Sequence, residues 1–374
     1  MGSKGLKAIV FDSTGGEKPP IYNLDAFKIA RKSFTEALVN HPQTAAYRDY
    51  GTPAMAQMCN AFGALPTRNF SNGQFEDVGA ISGEHMRDLL LERGGESQTT
   101  HACMAGCSIH CSNTFGGQDG KSIVSPLEYE TIGLMGPNLG IDSLDTIALM
   151  NQKANNLGLD TIELGAALGV AADAGLMEFG DGERALSLID EISQGTPLGR
   201  ILGSGATITG RVFNVQRIPA VKGQAMSAYD PRAIKGTGVT YATSPQGADH
   251  TSGLTIRAKI NHLDPKGQVE ASRNAQYNMA GYDTLGACVF TGFGFGASAE
   301  SIRDLLKTIY NWHDDVGILQ KLGKTTILLE REFNKKAGFT KAHDRIPEWM
   351  TEEPLSPHRV VFDVPTEEMD DIFK

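Results

Sequence analysis

Three cysteines, Cys103, Cys107 and Cys111, fall within nine residues, and thiolates at such short spacing are suited to holding a metal. An iron–sulfur cubane requires four thiolates, commonly three close in sequence and one distant, and Cys288 can supply the fourth. Zinc is an alternative, because four thiolates also suit a zinc tetrahedron, but zinc sites usually pair two CxxC hooks and this sequence has none. A group of buried core thiols is the remaining alternative, since free cysteine is among the most buried residue types.

The fifth cysteine, Cys59, has no neighbours in sequence that would make it a ligand, and we expect it to be a core thiol. An odd number of cysteines argues against a disulfide framework. The first residues also lack the long apolar stretch of a secretory signal. These observations favour a reduced, cytoplasmic protein.

Composition and charge disfavour several classes of function. Lys and Arg total 34 against 44 Asp and Glu, and the resulting charge of −10 argues against a broad nucleic-acid-binding surface. No apolar run reaches the ~18 residues that a membrane span requires. A hydrophobic share of 40% is enough for a substantial core, and 374 residues correspond to two or three packed units.

Apolar residues recur at helical spacing along much of the chain. Asn23 is a good N-cap for the first such segment, and Gly158 is suited to ending a helix that opens at Asp142 or Ser143. Small residues dominate 161–175, which would permit close approach of another helix or a ligand. The predicted helices cover residues 24–38, 143–157, 161–175, 183–192, 298–310 and 318–334.

Strand-like runs are few and short, at residues 6–11, 207–213, 255–260 and 359–362. The run at 6–11 stands alone, and a single strand must pair with something elsewhere in this chain or in another one. A loose boundary lies near 219–237, where prolines and glycines interrupt the helical patterns. We therefore predict a mainly α protein with two helical domains.

Several segments, in order over almost the whole chain, resemble the C-terminal portion of the tungsten-containing aldehyde ferredoxin oxidoreductase family. They include LEYET at 127–131, GPNLGID at 136–142, NNLGLDTI at 155–162, AYDPR at 228–232, DTLGAC at 283–288 and LSPHRVVFD at 355–363. The resemblance implies the multihelical, two-domain architecture of the family's domains 2 and 3. It implies a remnant strand of the N-terminal domain over 1–18, a helical domain with the three-cysteine motif over 19–228, and a second helical domain over 229–374.

The resemblance also implies the cofactors. Members of the family bind a tungsten or molybdenum ion through two pterins, with a [4Fe-4S] cluster close by. By position, Cys103, Cys107, Cys111 and Cys288 would ligate that cluster. The family usually places two residues between the first two cysteines, whereas three stand between Cys103 and Cys107, so Cys103 departs most from the pattern.

The family holds its two pterins with a pair of D-x-x-G-L-D/C turns, which present a carboxylate and backbone amides to the polar edge of the pterin. The resemblance places Asn155 and Asp160 in the first turn, and Asp283 and Cys288 in the second, followed by Val289. Asn155 stands where the family has Asp, so this contact lacks a charge. Read without the family, Asp160 is the N-cap of the helix that follows it.

Glu130 matches the family's acidic residue near the metal, and His250 matches its histidine. A carboxylate can activate water for addition to an aldehyde, while an imidazole can polarise the carbonyl. Read without the family, Glu130 is a solvated charge at a helix start and His250 a loop histidine. Ser252 stands where the family has a lysine that helps to bind the cofactor.

The resemblance predicts two features of assembly. Dimeric members hold a bridging iron through an E-x-x-H motif, and here Leu149 and Gln152 fill those places, so a homo-oligomer would lack a bridging iron. The family's N-terminal domain covers the pterins, and the chain resembles the family only from the end of that domain onward. We therefore expect a separate N-terminal domain chain as a partner, with loss of that domain as the alternative.

Two functions follow from the resemblance. The first is an aldehyde oxidoreductase that passes electrons through the [4Fe-4S] cluster to ferredoxin or a similar carrier. The second is a non-catalytic or truncated electron-transfer or assembly subunit of a split enzyme, including complexes that reduce aromatic acyl-CoA thioesters. The sequence distinguishes neither the aldehyde nor tungsten from molybdenum, because the pterin supplies the metal's ligands.

Overall fold

Helices dominate the computed structural model of the chain, which describes residues 5–17, 19–298 and 300–374. Seventeen α-helices lie within these ranges, and they confirm the predicted mainly α, multihelical class. They are α1 Leu24–Val39, α2 Pro42–Tyr50, α3 Met55–Ala61, α4 Gly83–Arg93, α5 Tyr129–Met135, α6 Leu144–Leu157, α7 Thr161–Asp173, α8 Gly182–Gln194, α9 Pro197–Leu202, α10 Ala206–Phe213, α11 Lys235–Thr243, α12 Gln268–Thr284, α13 Gly292–Ala297, α14 Glu300–Tyr310, α15 Ile318–Lys336, α16 Trp349–Glu352 and α17 Thr366–Asp370.

The strands are short and form two small antiparallel sheets. One sheet has the order β1-β2-β3, and the other is a two-stranded hairpin of β4 and β5. Their bounds are β1 Gln98–His101, β2 Ser112–Gly116, β3 Ser122–Val124, β4 Ala220–Val221 and β5 Gln224–Ala225. The connection between β1 and β2 carries the three clustered cysteines.

Helix capping explains why the helical predictions succeed. The Asn23 side chain accepts a hydrogen bond from the Ala26 amide at 3.0 Å, and α1 begins there as predicted. The Ser143 hydroxyl accepts from the Thr146 amide at 3.2 Å, and Gly158 ends α6 in the left-handed region at φ 69°. The helices predicted near 161–175, 183–192, 298–310 and 318–334 appear as α7, α8, α14 and α15; residue 299 lies outside the described residues.

The small residues of α7 bring it against α5, as their composition suggested. A Cβ at Gly165 would lie 2.8 Å from the Leu134 carbonyl oxygen and from the Leu134 Cβ, which is closer than real Cβ atoms pack. The absence of that atom lets the two helices approach closely. This contact matters to the site because α5 carries Glu130.

The four strand predictions are wrong for the described residues. Residues 207–213 lie within α10, where burial of Ala206, Thr209 and Gly210 at helical spacing overrides the β-branched composition. Residues 6–11 are exposed and form no strand, and residues 255–260 form turns and bends. Of 359–362, only Val360 makes an isolated bridge, with Leu355. The observed β1 escaped prediction because its sequence, QTTH, is polar and carries no apolar alternation.

The main hydrophobic core draws side chains from Tyr47 to Ile372, and so from both sides of the boundary predicted at residue 228. A smaller cluster joins α12, α14 and α15 through Tyr282, Ile302, Leu306, Ile318 and Leu319. The division into units over 1–18, 19–228 and 229–374 stays a prediction. Among the helices described, none combines the length and the apolar character needed to cross a bilayer.

A fully buried ion pair, Asp230 with Arg232, fixes the segment that reaches the candidate site. The Arg232 guanidinium donates to the two Asp230 carboxylate oxygens at 3.0 and 2.7 Å, and both side chains are 0% exposed. It also donates to the carbonyl oxygens of Phe70 and Glu353, and it lies 5.0 Å over the Trp349 ring. One cation thus joins three distant parts of the chain.

We expect Asp230→Asn to lower the free energy of unfolding by about 3–5 kcal/mol, because it removes the directly bonded counter-ion of the buried Arg232 and leaves only the Glu353 carboxylate, 3.9 Å away. Urea denaturation followed by circular dichroism measures the change. Asp25→Asn is the matched control, since Asp25 pairs with Lys28 on the surface and its side chain is 91% exposed. Equal midpoints for Asp230→Asn and the control would contradict the structural role of the pair.

Candidate functional site

Glu130 lies in the first turn of α5 and points inward rather than into solvent. The Thr52 hydroxyl accepts a hydrogen bond from the Tyr129 amide at 2.9 Å at the start of this helix. Glu130 Oε2 accepts from the Ala228 amide at 2.7 Å, and the Tyr129 hydroxyl donates to the Ala228 carbonyl oxygen, also at 2.7 Å. Because both backbone groups of Ala228 are engaged, the carboxylate is held at a defined place; its side chain is 14% exposed.

His250 comes to the same place from a 3₁₀ turn over His250–Ser252. Asp249 caps this turn by accepting from the Thr251 amide at 3.0 Å. The His250 ring contacts Ser227 Oγ through Nδ1 at 2.8 Å, and its Nε2 lies 3.2 Å from Glu130 Oε1. The structure therefore pairs the two residues that the sequence offered as catalytic.

The two groups alter each other's proton affinity. Burial raises the pKa of the Glu130 carboxyl, and the attraction of His250 and the Tyr229 hydroxyl offset only part of that effect. Burial alone would lower the pKa of His250, but the carboxylates of Glu130 and Asp249 outweigh it and raise that pKa. The pair consequently retains protons to higher pH than isolated groups would.

One oxygen of the pair remains available to a ligand. Glu130 Oε1 is buried and makes no hydrogen bond to the described residues, although His250 Nε2 lies 3.2 Å away. A buried acceptor without a donor is unfavourable by about 1–3 kcal/mol. A water molecule or a substrate group would satisfy it.

Glu130 and His250 line a cavity of about 520 Å³. Its wall is largely apolar and aromatic, and it includes Cys103 and Cys111. The candidate catalytic pair and two of the candidate cluster ligands therefore face the same space.

The four predicted cluster ligands are electrostatic neighbours. Cys103, Cys107 and Cys111 lie on the β1–β2 connection, and Cys288 directly precedes a 3₁₀ turn over Val289–Thr291. All four are free thiols. Burial first, and then the charges of Glu128, Cys288 and the other two cysteines, raise the pKa of Cys111 to about 12.

Cys107 behaves differently from its neighbours. Burial would raise the pKa of its thiol, but backbone amides of His110 and Ile109 outweigh burial and lower it; the His110 amide lies 3.5 Å from the sulfur. Of the three clustered cysteines, Cys107 thus most readily forms a thiolate.

Across residues 5–17, 19–298 and 300–374, no three His, Cys, Asp or Glu side chains converge closely enough to hold a metal ion. The donor set nevertheless fits an iron–sulfur cluster in its chemistry and number. The four free thiols lie near enough that the charges of the other three influence Cys111, and those of Cys107 and Cys288 influence Cys103.

Both predicted pterin turns lie close enough to the His250 turn for their charges to interact with it. Asp160 accepts from the Glu163 amide at 2.7 Å and is the N-cap of α7, and its charge contributes to the raised pKa of His250. Asp283 lies near the end of α12, where burial and the charge of Asp249 raise its pKa. Their exposed neighbours in the same turns are Asn155, Cys288 and Val289.

Tyr229 and Glu128 are among the cavity residues that sequence reasoning missed. The Tyr229 ring lies 5.6 Å from the His250 ring, and its hydroxyl favours the charged form of Glu130. Its only signal in the sequence was its place in the AYDPR segment. Glu128 lines the same cavity, and its carboxylate accepts a hydrogen bond from the Thr52 hydroxyl. Burial raises the pKa of this carboxyl.

We expect the pKa of His250 to lie above 6.5 in the wild-type protein and to fall in Glu130→Gln, which removes the carboxylate 3.2 Å away. Because folding raises this pKa, protonated His250 stabilises the fold fully below pH 6.5, and the contribution is lost as pH rises through the folded pKa. Proton NMR of the imidazole resonances measures the shift.

The His250 resonance is identified by its absence in His250→Asn, and the other eight histidines serve as internal controls. An unchanged His250 pKa in Glu130→Gln would show that the contact does not exist in solution.

Comparison with known proteins adds independent findings. The family described as "Aldehyde ferredoxin oxidoreductase, domains 2 & 3" matches residues 29–373. The tungsten-containing aldehyde ferredoxin oxidoreductase of Thermococcus kodakarensis is 32% identical over 381 residues, which cover 95% of this chain and 61% of that protein. The Pyrococcus abyssi protein of the same name is also 32% identical, with the same coverage. The chain thus spans about 61% of the length of these curated relatives.

Two further similarities concern proteins that are parts of assemblies. A Pyrococcus furiosus protein named "Aliphatic sulfonate oxidoreductase, WOR-like subunit" is 27% identical over 69% of this chain and 44% of that protein. The solved active site complex BamBC of benzoyl coenzyme A reductase, with 1,5-dienoyl-CoA, matches with a TM-score of 0.64 over 88% of this chain and 59% of that one. At 12% sequence identity, this last similarity concerns the fold alone.

Proposed function

The chain belongs to the aldehyde ferredoxin oxidoreductase family, and on that premise we propose that it forms the helical part of an enzyme that oxidises an aldehyde to a carboxylate. The electrons would pass through a [4Fe-4S] cluster to ferredoxin or a similar iron–sulfur carrier in the cytoplasm. The pairing of Glu130 with His250 in an apolar cavity that Cys103 and Cys111 also line carries the proposal.

The reaction sets the demands on these residues. An aldehyde R–CHO and water give R–COO⁻, three protons and two electrons, so a water oxygen must bond to the carbonyl carbon and the C–H bond must break. A bound tungsten or molybdenum pterin would supply the two-electron acceptor, and the carrier would then take the electrons one at a time. The protein's own part is to position the reactants and to move protons.

Glu130 is suited to receive a proton from water. Its Oε1 is a buried acceptor without a hydrogen bond, and burial raises its pKa toward the range in which a general base is effective. His250, with its pKa raised by Glu130 and Asp249, can donate a hydrogen bond to the carbonyl oxygen as charge develops there. The apolar wall of the cavity would limit competing solvent.

The remaining chain supplies candidate ligands for the cofactors. Cys103, Cys107, Cys111 and Cys288 would hold the cluster. The two turns that contain Asn155 and Asp160, and Asp283, Cys288 and Val289, would hold the pterins, with a chain that carries the family's N-terminal domain covering their other side.

We also propose that no bridging iron forms between copies of the chain. The Gln152 side-chain amide donates a hydrogen bond to the Ile123 carbonyl oxygen at 2.8 Å, and the Leu149 side chain has no atom that can ligate iron. A homo-oligomer would therefore have to use other contacts.

We expect anaerobically purified protein, co-expressed with the N-terminal partner chain, to contain about four irons per chain. Cys107→Ala should lose this iron, because it removes one of the four proposed thiolate ligands, the one whose pKa is lowered by backbone amides. Elemental analysis and the visible absorption of the cluster measure the change.

Cys59→Ala is the matched control, since Cys59 is fully buried in the core and is not part of the proposed set. Cys103→Ala tests the thiol that departs from the family's spacing. Full iron content in Cys103→Ala would remove that residue from the ligand set. Full iron content in both Cys103→Ala and Cys107→Ala would overturn the cluster assignment.

In the partnered, metal-loaded enzyme, we expect Glu130→Gln to lower kcat by about 10²–10⁴-fold, because the amide cannot accept the proton from water. Steady-state oxidation of a simple aldehyde with a dye acceptor measures the loss. Glu183→Gln is the control, since Glu183 is exposed at the start of α8. Equal rates for the two variants would exclude Glu130 as the base.

A second candidate function is an iron–sulfur electron-transfer or assembly subunit of a larger complex, of the kind that includes acyl-CoA reductases. The similarity to the Pyrococcus furiosus protein named "Aliphatic sulfonate oxidoreductase, WOR-like subunit", 27% identical over 69% of this chain, favours it. The same metal analysis separates the two candidates: iron with tungsten or molybdenum supports the aldehyde oxidoreductase, and iron without either, even in the partnered sample, supports the subunit.

A further inference from the structure

Arg257 lines the same cavity as Glu130 and His250, and its guanidinium is held in place by several contacts. It donates to the Gln43 side chain and to the Tyr47 hydroxyl, and it lies 3.2 Å from Met55 Sδ. It also lies over the rings of Tyr47, at 5.4 Å, and Phe293, at 5.8 Å. These contacts orient the cation before any ligand arrives, which lowers the entropy lost on binding.

The charge of this guanidinium has no carboxylate partner within 4 Å in the part of the chain that the structure describes. Four other arginines that lie over aromatic rings do have a carboxylate partner: Arg68 with Glu76, Arg93 with Asp145, Arg232 with Asp230 and Arg331 with Asp344. Arg31 and Arg87 also lie over rings and have no carboxylate partner among the described residues, but neither lines the cavity. Arg257 therefore stands out as an oriented, unneutralised cation facing a ligand-sized space.

The wall beside Arg257 is a cluster of aromatic rings. The Tyr47 ring lies 4.6 Å from that of Phe290 and 5.9 Å from that of Phe293, and the last two are 5.9 Å apart. Such a surface favours a flat apolar group over a polar one. The cavity thus combines a proton-transfer pair, an aromatic wall and a cation.

We propose that Arg257 determines substrate specificity and that the preferred substrate is an aromatic aldehyde bearing a second, anionic group such as a carboxylate. The ring would lie against Phe290 and Phe293, and the carboxylate would accept hydrogen bonds from the guanidinium. The aldehyde would face Glu130 and His250, because repulsion between carboxylates keeps the anionic end away from Glu130. This inference rests on the proposed function, and it names the substrate class of that site.

The reaction balances with the same carrier. A formylarene carboxylate, OHC–Ar–COO⁻, and water give the dicarboxylate, three protons and two electrons, which the iron–sulfur carrier takes. In the bound product, the original carboxylate would lie at Arg257 and the new carboxylate would lie beside the Glu130–His250 pair.

Binding to the purified full chain tests the inference without requiring turnover. The probes are 4-formylbenzoate and the uncharged 4-formylbenzamide, which differ in charge and little in shape, and isothermal titration calorimetry measures both. We expect the wild-type protein to bind the carboxylate on the order of 10-fold more tightly, the effect of a charge-assisted hydrogen bond. Arg257→Met should abolish this preference, and Arg257→Lys should retain part of it.

Arg87→Met is the matched control, because Arg87 also lies over a tyrosine ring, that of Tyr50, but outside the cavity. Circular dichroism verifies that each variant is folded. The inference would be overturned if the wild type bound the two probes with equal affinity or bound neither of them. It would also be overturned if the preference for the carboxylate survived in Arg257→Met.

Turnover by the partnered, metal-loaded enzyme separates this inference from the proposed function. Oxidation of charged and uncharged aldehydes with equal kcat/KM would overturn the role of Arg257 and leave aldehyde oxidation intact. Charge-selective binding with no oxidation of any aldehyde would retain the anion site and overturn the proposed function.

Discussion

The candidate site depends on how the segment 227–232 is held. Each residue at its start fixes a part of the site: Ser227 contacts the His250 ring, Ala228 holds Glu130 and Tyr129, and Tyr229 lines the cavity. Directly after them, the buried Asp230–Arg232 pair ties the segment to distant parts of the chain. A buried ion pair is a poor source of net stability, but breaking it by moving or removing one partner is strongly unfavourable, because a charge is then left uncompensated. The segment's place, and with it the distance between Glu130 and His250, follows from the geometry of this pair.

A second feature of the site is that acidic side chains and thiols surround the cavity. Burial raises the pKa of Glu128, Glu130, Cys103 and Cys111, and repulsion from neighbouring carboxylates or thiolates adds to the increase for the last three. Binding of cationic iron to the thiols would relieve that repulsion, since metal binding and deprotonation of the ligands are coupled. His250 and Arg257 are the positive groups that face the same cavity, and each has a separate role in the function proposed here.

Local interactions explain which elements could be predicted. The helices that begin at Asn23 and Ser143 carry their caps in the sequence, and a cap acts within three residues of itself. The strand predictions failed because β propensity reports how a side chain packs, which depends on its surroundings. Residues 207–213 have a strand-like composition, yet they pack as α10. The polar strand β1 depends on β2 and on the loop between them, and its own residues carry no signal.

The sequence by itself determined the helical class, the family, and the identity of the thiols, carboxylates and histidine that can do chemistry, because residue types and short motifs are local properties. Tertiary structure alone decided that Glu130 is inward-facing rather than solvated, that its Oε1 lies 3.2 Å from His250 Nε2, and that an unneutralised Arg257 shares their cavity. Burial and the absence of a counter-ion depend on elements far apart in the chain. No spacing in the sequence encodes them, since they arise only when the core closes around the segment 227–232.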